Sequence, residues 1–291
     1  FGARSAIFAP CPNLKGIIIY DEHDGAYKDE RSPYYDTLTV ADKLSQLTGC
    51  KIQIIDSSPK ITTYFKFAQG GTLTIRQGSH LSLHAPRVQI VSMIDEKRTG
   101  NRSPISDILQ TYIKLGLAKN KKIMLFLNKK TESGHIYCRN CKYSDFAKLQ
   151  PETCPNCASR DIWFNTVNIT TLTALVKQIV PSANINIIAE GIRNFSGKKG
   201  EIDITTAAVF YRLAVQKYNL VAHIRTDSIL NVSDYLSTER LFWQIADLKK
   251  ITQGLLLLQT YNPGSEVIRA ASGNNYPKFY KSELAMRKTL L

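Results

Sequence analysis

SDILQTYIKLGLAKNKKIMLFL, Ser106–Leu127, is the segment that sets the architecture. Helical periodicity runs over Ser106–Leu117, and Lys122–Leu127 is a short apolar run with the length of a buried strand. The same alternation continues in both directions. Apolar, β-branched runs at Gly16–Tyr20, Lys51–Ile55, Val88–Val91, Ile185–Ile188, Leu220–Ile224 and Leu255–Thr260 read as further strands. Thr37–Leu47, Thr170–Ile179 and Ser233–Ala246 carry helical periodicity. Strand alternating with helix implies parallel sheets covered by helices, an α/β architecture. The seven strands are expected to form two sheets, with a break near Asp95–Pro104, where EKRTGNRSP is polar, basic and rich in breakers.

The chain has 291 residues, 43% of them apolar, enough for one large or two medium domains and too apolar for a disordered chain. Its formal net charge of +14 favours a polyanionic partner, nucleic acid before an anionic membrane face, with solubility charge as the plain alternative. No apolar run approaches the roughly 20 residues that span a bilayer. With no export signal at the start, a cytoplasmic location is expected, and the sequons at Asn101 and Asn168 carry no weight. The abrupt opening at Phe1 reads as truncation of a longer protein.

Six cysteines are present, and four of them fall in two CxxC pairs within twenty residues, while Cys11 and Cys50 stand alone. The segment Tyr137–Ile162, YCRNCKYSDFAKLQPETCPNCASRDI, spaces Cys138, Cys141, Cys154 and Cys157 as C-x2-C-x12-C-x2-C. Each CxxC turn brings two thiolates to one side of a tight loop, so two such turns supply the four soft ligands of one tetrahedral structural zinc ion. Four protein ligands leave no position for a catalytic water, which makes the expected role structural. A redox CxxC pair is the competing reading. His135 is a further possible ligand, but with four thiolates present it reads as an ordinary solvated histidine. The cluster follows a strand and reads as a module inserted into the second α/β region.

At the start of the chain, the strand Gly16–Tyr20 runs into Asp21, Glu22 and His23 and then into a polar loop. Carboxylates at the end of a parallel strand sit where nucleotide and Mg²⁺ bind in open α/β sheets. The stretch GARSAIFAP (Gly2–Pro10), the DEHD-containing strand end and AYK (Ala26–Lys28) together resemble the PriA family of superfamily 2 replication-restart DNA helicases, around the Walker B motif. Further stretches follow in order. EKRTGNRSPIS (Glu96–Ser106) resembles the link between motor lobes, and MLFLNKK (Met124–Lys130) resembles the strand that leads to the zinc module. QTYNP (Gln259–Pro263) resembles the end of lobe 2, and FYKSELAMRK (Phe279–Lys288) the helix opening the C-terminal domain.

The resemblance implies two RecA-like helicase lobes, the first incomplete, with an inserted zinc-ribbon module. Residues 1–96 are the later part of lobe 1, 97–134 the start of lobe 2, 135–162 the zinc module, 163–262 the rest of lobe 2, and 263–291 the beginning of a C-terminal domain. It implies that Asp21, Glu22 and His23 are a Walker B-like trio. It also implies DNA contacts through Arg4 and Ser5, and through an aromatic-rich loop bearing Tyr27, Lys28, Arg31, Tyr34 and Tyr35. Rings interleaved with cations suit single strands, although tyrosines beside a strand end also serve as packing. Lys97, Arg98, Arg102, Lys129 and Lys130 are further phosphate candidates, or a solvated basic face.

The departures from the family pattern bear on activity. Family members end this strand with Asp-Glu-Glu-His; aligning His23-Asp24 and Tyr27-Lys28 puts Tyr20 at the metal-holding position and Asp21 at the water-polarising one. The Gly-Ser-Ala-Thr-Pro coupling motif appears as Ile55-Asp56-Ser57-Ser58-Pro59, and the Gly-Thr-Gln segment as Thr205-Thr206-Ala207. The arginine-bearing motif is due between Arg240 and Leu255, an interval with no arginine. The chain also lacks the Walker A loop. A family zinc module has two ions on four cysteine pairs, and here one site remains.

The expected function is a DNA-binding, zinc-binding replication-restart helicase fragment with degenerate ATPase motifs, acting on forked or single-stranded DNA and with other primosome proteins, away from membranes. One zinc ion is expected, with ATP and Mg²⁺ only if the motor works. Two alternatives stand beside it: an active ATP-dependent 3′-to-5′ helicase whose phosphate-binding loop lies upstream, and a non-enzymatic zinc-ribbon scaffold for protein partners.

Overall fold

A computed structural model of the chain describes residues 2–29, 31–68, 85–128, 134–147, 150–165, 167–189, 201–207, 209–210, 217–230, 234–273 and 276–289. Two compact units emerge. One comprises Phe1–His84, Thr238–Ala246 and Glu266–Leu291, and the other Ala85–Ser237 and Asp247–Ser265.

In the first unit, β1 (Gly16–Tyr20) pairs in parallel with β4 (Lys51–Ile55), Gly16 opposite Lys51 and Tyr20 opposite Ile55. Two short strands, β2 (Lys28–Asp29) and β3 (Tyr35–Asp36), pair antiparallel and lead into helix α1 (Thr37–Thr48). Asp36 caps α1 by accepting from the Leu38 and Thr39 amides, and Gly49 closes it in the left-handed region at φ +71°. Helix α2 (Ile61–Ala68) follows β4.

The second unit contains a six-stranded, all-parallel sheet. Its members are β5 (Arg87–Ser92), β6 (Ile123–Phe126), β10 (Ile185–Ile188), β11 (Ile202–Thr205), β12 (Tyr218–His223) and β13 (Thr252–Thr260), in the spatial order β10-β11-β6-β12-β13-β5. Between β5 and β6 lie α3 (Met93–Arg98) and α4 (Asp107–Ala118); α5 (Ile169–Ile179) precedes β10. A parallel sheet covered by helices reads as unbroken apolar runs, and all four residues of β6 are buried. Leu109 and Ile113 from α4, with Leu172 and Val176 from α5, pack on Ile123, Leu125, Ile202, Ile204, Ala222 and Leu257.

Local chemistry fixes the ends of these elements. Ser106 caps α4 by accepting from the Leu109 amide, and Asn168 and Thr171 form a reciprocal capping box on α5. Gln259 at the end of β13 accepts from the Ser106 amide at 2.8 Å and donates to the carbonyls of Pro104 and Ile224. Gly254 sits where β13 slips register against β12, and a Cβ there would lie 2.3 Å from the Asn219 carbonyl oxygen. Only glycine admits so close a backbone approach.

The α/β class expected from the alternation is what the strand pairings give. The strand at Arg87–Ser92, which the sequence reading assigns to the first lobe, hydrogen-bonds to β13 and forms one edge of the six-stranded sheet. Strand β11 and the first residues of β12 and β13 were not anticipated.

The cysteine segment folds as a three-stranded antiparallel sheet of β7 (Gly134–Cys138), β8 (Ser144–Ala147) and β9 (Ile162–Asn165), with β7 central. It interrupts the chain between β6 and α5, as the inserted-module reading placed it. Helix α6 (Ser237–Ile251) follows β12, and α7 (Glu266–Ser272) and α8 (Tyr276–Thr289) end the described chain. Among the described residues, no helix is long and apolar enough to cross a membrane.

Candidate functional site

The two CxxC turns form matching knuckles. In the first, the Cys138 amide donates to the Tyr143 carbonyl at 2.8 Å and the Lys142 amide to the Cys138 carbonyl at 3.0 Å; in the second, Cys154 bonds Ser159 and Ala158 bonds Cys154 at 2.8 and 2.9 Å. The residue after each second cysteine turns the chain through the left-handed region, Lys142 at φ +63° and Ala158 at +55°. This repeated geometry brings all four sulfurs within 4.8 Å of one another. Cys138 and Cys157 Sγ are 3.6 Å apart, as are Cys141 and Cys154 Sγ. A tetrahedron of sulfurs about 2.3 Å from a metal has edges of about 3.8 Å, whereas a disulfide would need about 2.05 Å.

The four cysteines are therefore placed to hold a metal ion. Hydrogen bonds from the Asn156 side chain and the Tyr143 amide lower the Cys141 thiol to about 6, and burial pushes Cys154 up to about 11. A bound cation favours the thiolate at both positions. Cys138 and Cys154 are buried and Cys141 and Cys157 half-buried, so the cluster has an inner and an outer edge. The His135 side chain lies outside the described residues.

The second cluster lies in the first unit, at the ends of β1 and β4. Asp21 is exposed, with φ +46°. Glu22 turns inward and is fully buried. Its carboxylate accepts from the Lys60 amide at 2.6 Å and the Thr63 hydroxyl at 2.7 Å, both at the start of α2. The neighbouring Ile61 amide donates to Glu239 at 2.7 Å. Two carboxylates remote in sequence thus satisfy two of the unpaired amides at the α2 N-terminus and complement its dipole. Burial raises the Glu22 pKa above 4.5, opposed by the Thr63 and Lys60 hydrogen bonds.

His23 Nδ1–H donates to Asp56 Oδ2 at 2.9 Å, and the imidazole stacks on Trp243 with ring centroids 5.2 Å apart. Asp56 also accepts from the Ser58 amide at 2.8 Å. The strand-end trio and the Ile55–Pro59 stretch, both singled out in the sequence, therefore meet in space. Sequence reasoning did not reach Trp243, Thr63 or Glu239; a lone tryptophan within LFWQIADLKK carries no local signal that it faces His23.

Among the expected DNA contacts, Arg4 pairs with Asp29 at 2.9 Å, and Ser5 is exposed. Hydrogen bonding from the Arg31 amide, joined by Arg4, holds Asp29 below the usual carboxylate range. The Tyr27 hydroxyl donates to the Tyr20 carbonyl at 2.8 Å, and Tyr35 meets Phe8 edge-on at 5.0 Å, so both tyrosines have packing roles. Lys28, Arg31 and Tyr34 are exposed. Arg98 pairs with Asp95 at 3.2 Å. Lys129 and Lys130 lie outside the described residues.

No protein-family model matches the chain. Over 99% of its length it is similar to the replication restart protein PriA of Bacillus subtilis (strain 168), at 29% identity, and of Synechocystis sp., also at 29%. The PriA of Thermotoga maritima is 27% identical over 99% of the chain. The chain spans 41%, 41% and 44% of the lengths of these three relatives. Among solved structures, S. cerevisiae Dbp5 bound to RNA and ADP BeF3 overlaps at a TM-score of 0.43 and 9% identity, covering 95% of this chain and 63% of that one. That overlap is loose, and the α/β description stands on the strand pairings alone.

Proposed function

Because the chain is a divergent relative of the replication restart protein PriA, we propose that it is a DNA-binding, zinc-holding portion of a cytoplasmic replication-restart helicase whose ATPase motifs have degenerated. The similarity over 99% of the chain carries the reading, and the four converging sulfurs support its zinc module. Cys138, Cys141, Cys154 and Cys157 would hold one zinc ion in a closed, structural set. The ion would supply the folding free energy that a small three-stranded sheet lacks on its own. Forked or single-stranded DNA is the partner, with other primosome proteins assembling on it.

The strand-end residues do not fit a working Mg²⁺–ATP site. Tyr20, at the position where relatives of this kind carry the metal-holding carboxylate, contributes its carbonyl to Tyr27. Asp21, at the water-polarising position, is an aspartate where the family pattern has a glutamate, and Glu22 beside it is engaged at the start of α2. The interval Leu241–Leu255 has no arginine to stabilise a transferring phosphoryl group, a role that contributes on the order of 10³-fold or more. Lysine does not reproduce the bidentate fork.

Fluorescence anisotropy with forked and single-stranded DNA, read beside DNA-stimulated ATP turnover, tests the reading. The expected outcome is salt-sensitive binding with turnover at background. Absence of binding would remove the DNA-binding function, and turnover abolished by Glu22→Gln would restore an active motor.

A further inference from the structure

Lys97, on the last turn of α3, faces two aromatic rings in the second unit. Its ammonium lies 4.6 Å from the Tyr261 ring centroid, just past β13, and 5.4 Å from that of Trp163, on β9 of the cysteine module. Arg139, beside the first knuckle, and Arg225, just past β12, stand close enough to repel it. Partial desolvation and then these two charges hold the Lys97 ammonium below its usual pKa. Arg225 is half-buried; desolvation lowers its pKa, opposed by Tyr261 and by the charge of Asp227.

Asp161 and Asp227 accompany two of these cations, and both carboxylates have other partners or solvent to share. Asp161 pairs with Arg139 at 3.5 Å, an exposed contact. Asp227 accepts from the Thr260 hydroxyl and, at 2.5 Å, from the Tyr261 amide. Among the described residues, neither Lys97 nor Arg225 forms an ion pair.

Gathering three cations without a matching set of carboxylates is unfavourable for the protein alone. Aromatic faces hold an ammonium in place as a carboxylate would, but they do not cancel its charge. The site also lies at the carboxyl ends of the parallel strands β5, β12 and β13, the edge where open α/β sheets take anionic ligands. We propose that Lys97, Arg139 and Arg225 form a phosphodiester-binding site at the junction of the cysteine module and the six-stranded sheet. Trp163 and Tyr261 act in it as positioning residues.

Single-stranded DNA supplies the phosphates, and the inference rests on the DNA-binding reading above. The contacts are to backbone, so the site is indifferent to base sequence. The cysteine module thereby takes part in binding, because a metal held by the four cysteines would fix the knuckle carrying Arg139, and the sheet of the module carries Trp163.

The test is anisotropy of a labelled oligothymidylate across a salt series, with the whole chain, zinc content held constant. Each phosphate contact on a single strand contributes about 0.7 to the slope of log affinity against log salt. Lys97→Gln with Arg225→Gln should lower the slope by about 1.4, and Trp163→Leu should weaken binding while all three cations remain. An unchanged slope in the double variant, with the parent chain binding normally, overturns the site and leaves the DNA-binding reading intact. A parent chain that does not bind overturns both. If the double variant misfolds, acylation of Lys97 in the unaltered chain decides: bound oligothymidylate should protect it about tenfold or more, and equal labelling overturns the site. Equal protection by an acidic peptide would make the ligand a protein and also overturn it.

Discussion

Removing the Glu22 side chain separates two roles that a buried strand-end carboxylate can have. Glu22→Ala orphans the Lys60 amide and the Thr63 hydroxyl, which now donate at 2.6 and 2.7 Å. A hydrogen bond to a charged group contributes about 1.5–3 kcal/mol, and loss of a helix cap costs about 1 kcal/mol. Relief of the buried charge offsets part of this, leaving a local loss of about 2 kcal/mol at the start of α2. That corresponds to roughly 30-fold faster amide exchange at Lys60 and Ile61, since about 1.4 kcal/mol is tenfold. Glu22→Gln behaves differently. The amide oxygen can accept from Lys60, and its N–H can donate to the Thr63 oxygen, so exchange should equal or fall below that of the parent.

The pH dependence follows with a definite sign. The native pKa lies above the ordinary 4.5 because burial penalises the charge, so the folded chain binds the proton more tightly than the unfolded chain. The Glu22 contribution to stability therefore increases as pH falls from above the raised native value toward 4.5. The Gln variant lacks that increment. Hydrogen exchange read by mass spectrometry on the whole chain, parent against both variants over this pH range, measures all three effects. Equal damage from Gln and Ala would refute the capping argument, because it would mean that the negative charge itself is required.

Three further outcomes are expected. Protein purified under reducing conditions should carry about one zinc per chain by elemental analysis, and Cys154→Ser should remove most of it and expose Gly134–Asn165 to protease. Gly254→Ala, whose Cβ would meet the Asn219 carbonyl at 2.3 Å, must push β12 and β13 apart; a loss of about 2–3 kcal/mol in urea denaturation is expected, and no change would mean that the strands are less tightly apposed. Asn168→Ala should cost about 1 kcal/mol through loss of the α5 capping box, with Asn168→Ser restoring most of it.

What could be read from the sequence divides by range. Helix α4 and strand β6 were legible because their patterns are local: apolar periodicity under a serine cap, then a run buried on both faces. The knuckles were legible for the same reason, since two residues between cysteines already dictate the turn. Strand β11 was not, because Asp203 interrupts its apolar run. The structure neutralises that interruption with the Tyr218 hydroxyl at 2.7 Å and the Asn186 amide at 3.2 Å, partners on two other strands. The lodging of β5 beside β13 was also hidden. Val88–Val91 is an apolar run whichever sheet it joins, and the polar stretch after it drew the apparent boundary to the wrong side of the strand.

Glu22 is the sharper case of a long-range choice. Sequence reasoning grouped Asp21, Glu22 and His23 by adjacency, yet the chain turns through the left-handed region at Asp21, φ +46°, just past β1, and the three side chains diverge. Asp21 goes to solvent, Glu22 to the start of α2, and His23 to Asp56 and Trp243. In the proposed reading, the loss of hydrolysis is then more than a set of missing groups. Asp21, which aligns with the water-polarising position, is one methylene shorter than the family's glutamate, and Glu22 beside it supports a helix start and cannot leave without the cost worked out above. Restoring an acid at Tyr20 alone would therefore place a metal ligand beside the shorter Asp21 and a glutamate still bound to Lys60 and Thr63, and hydrolysis would remain at background.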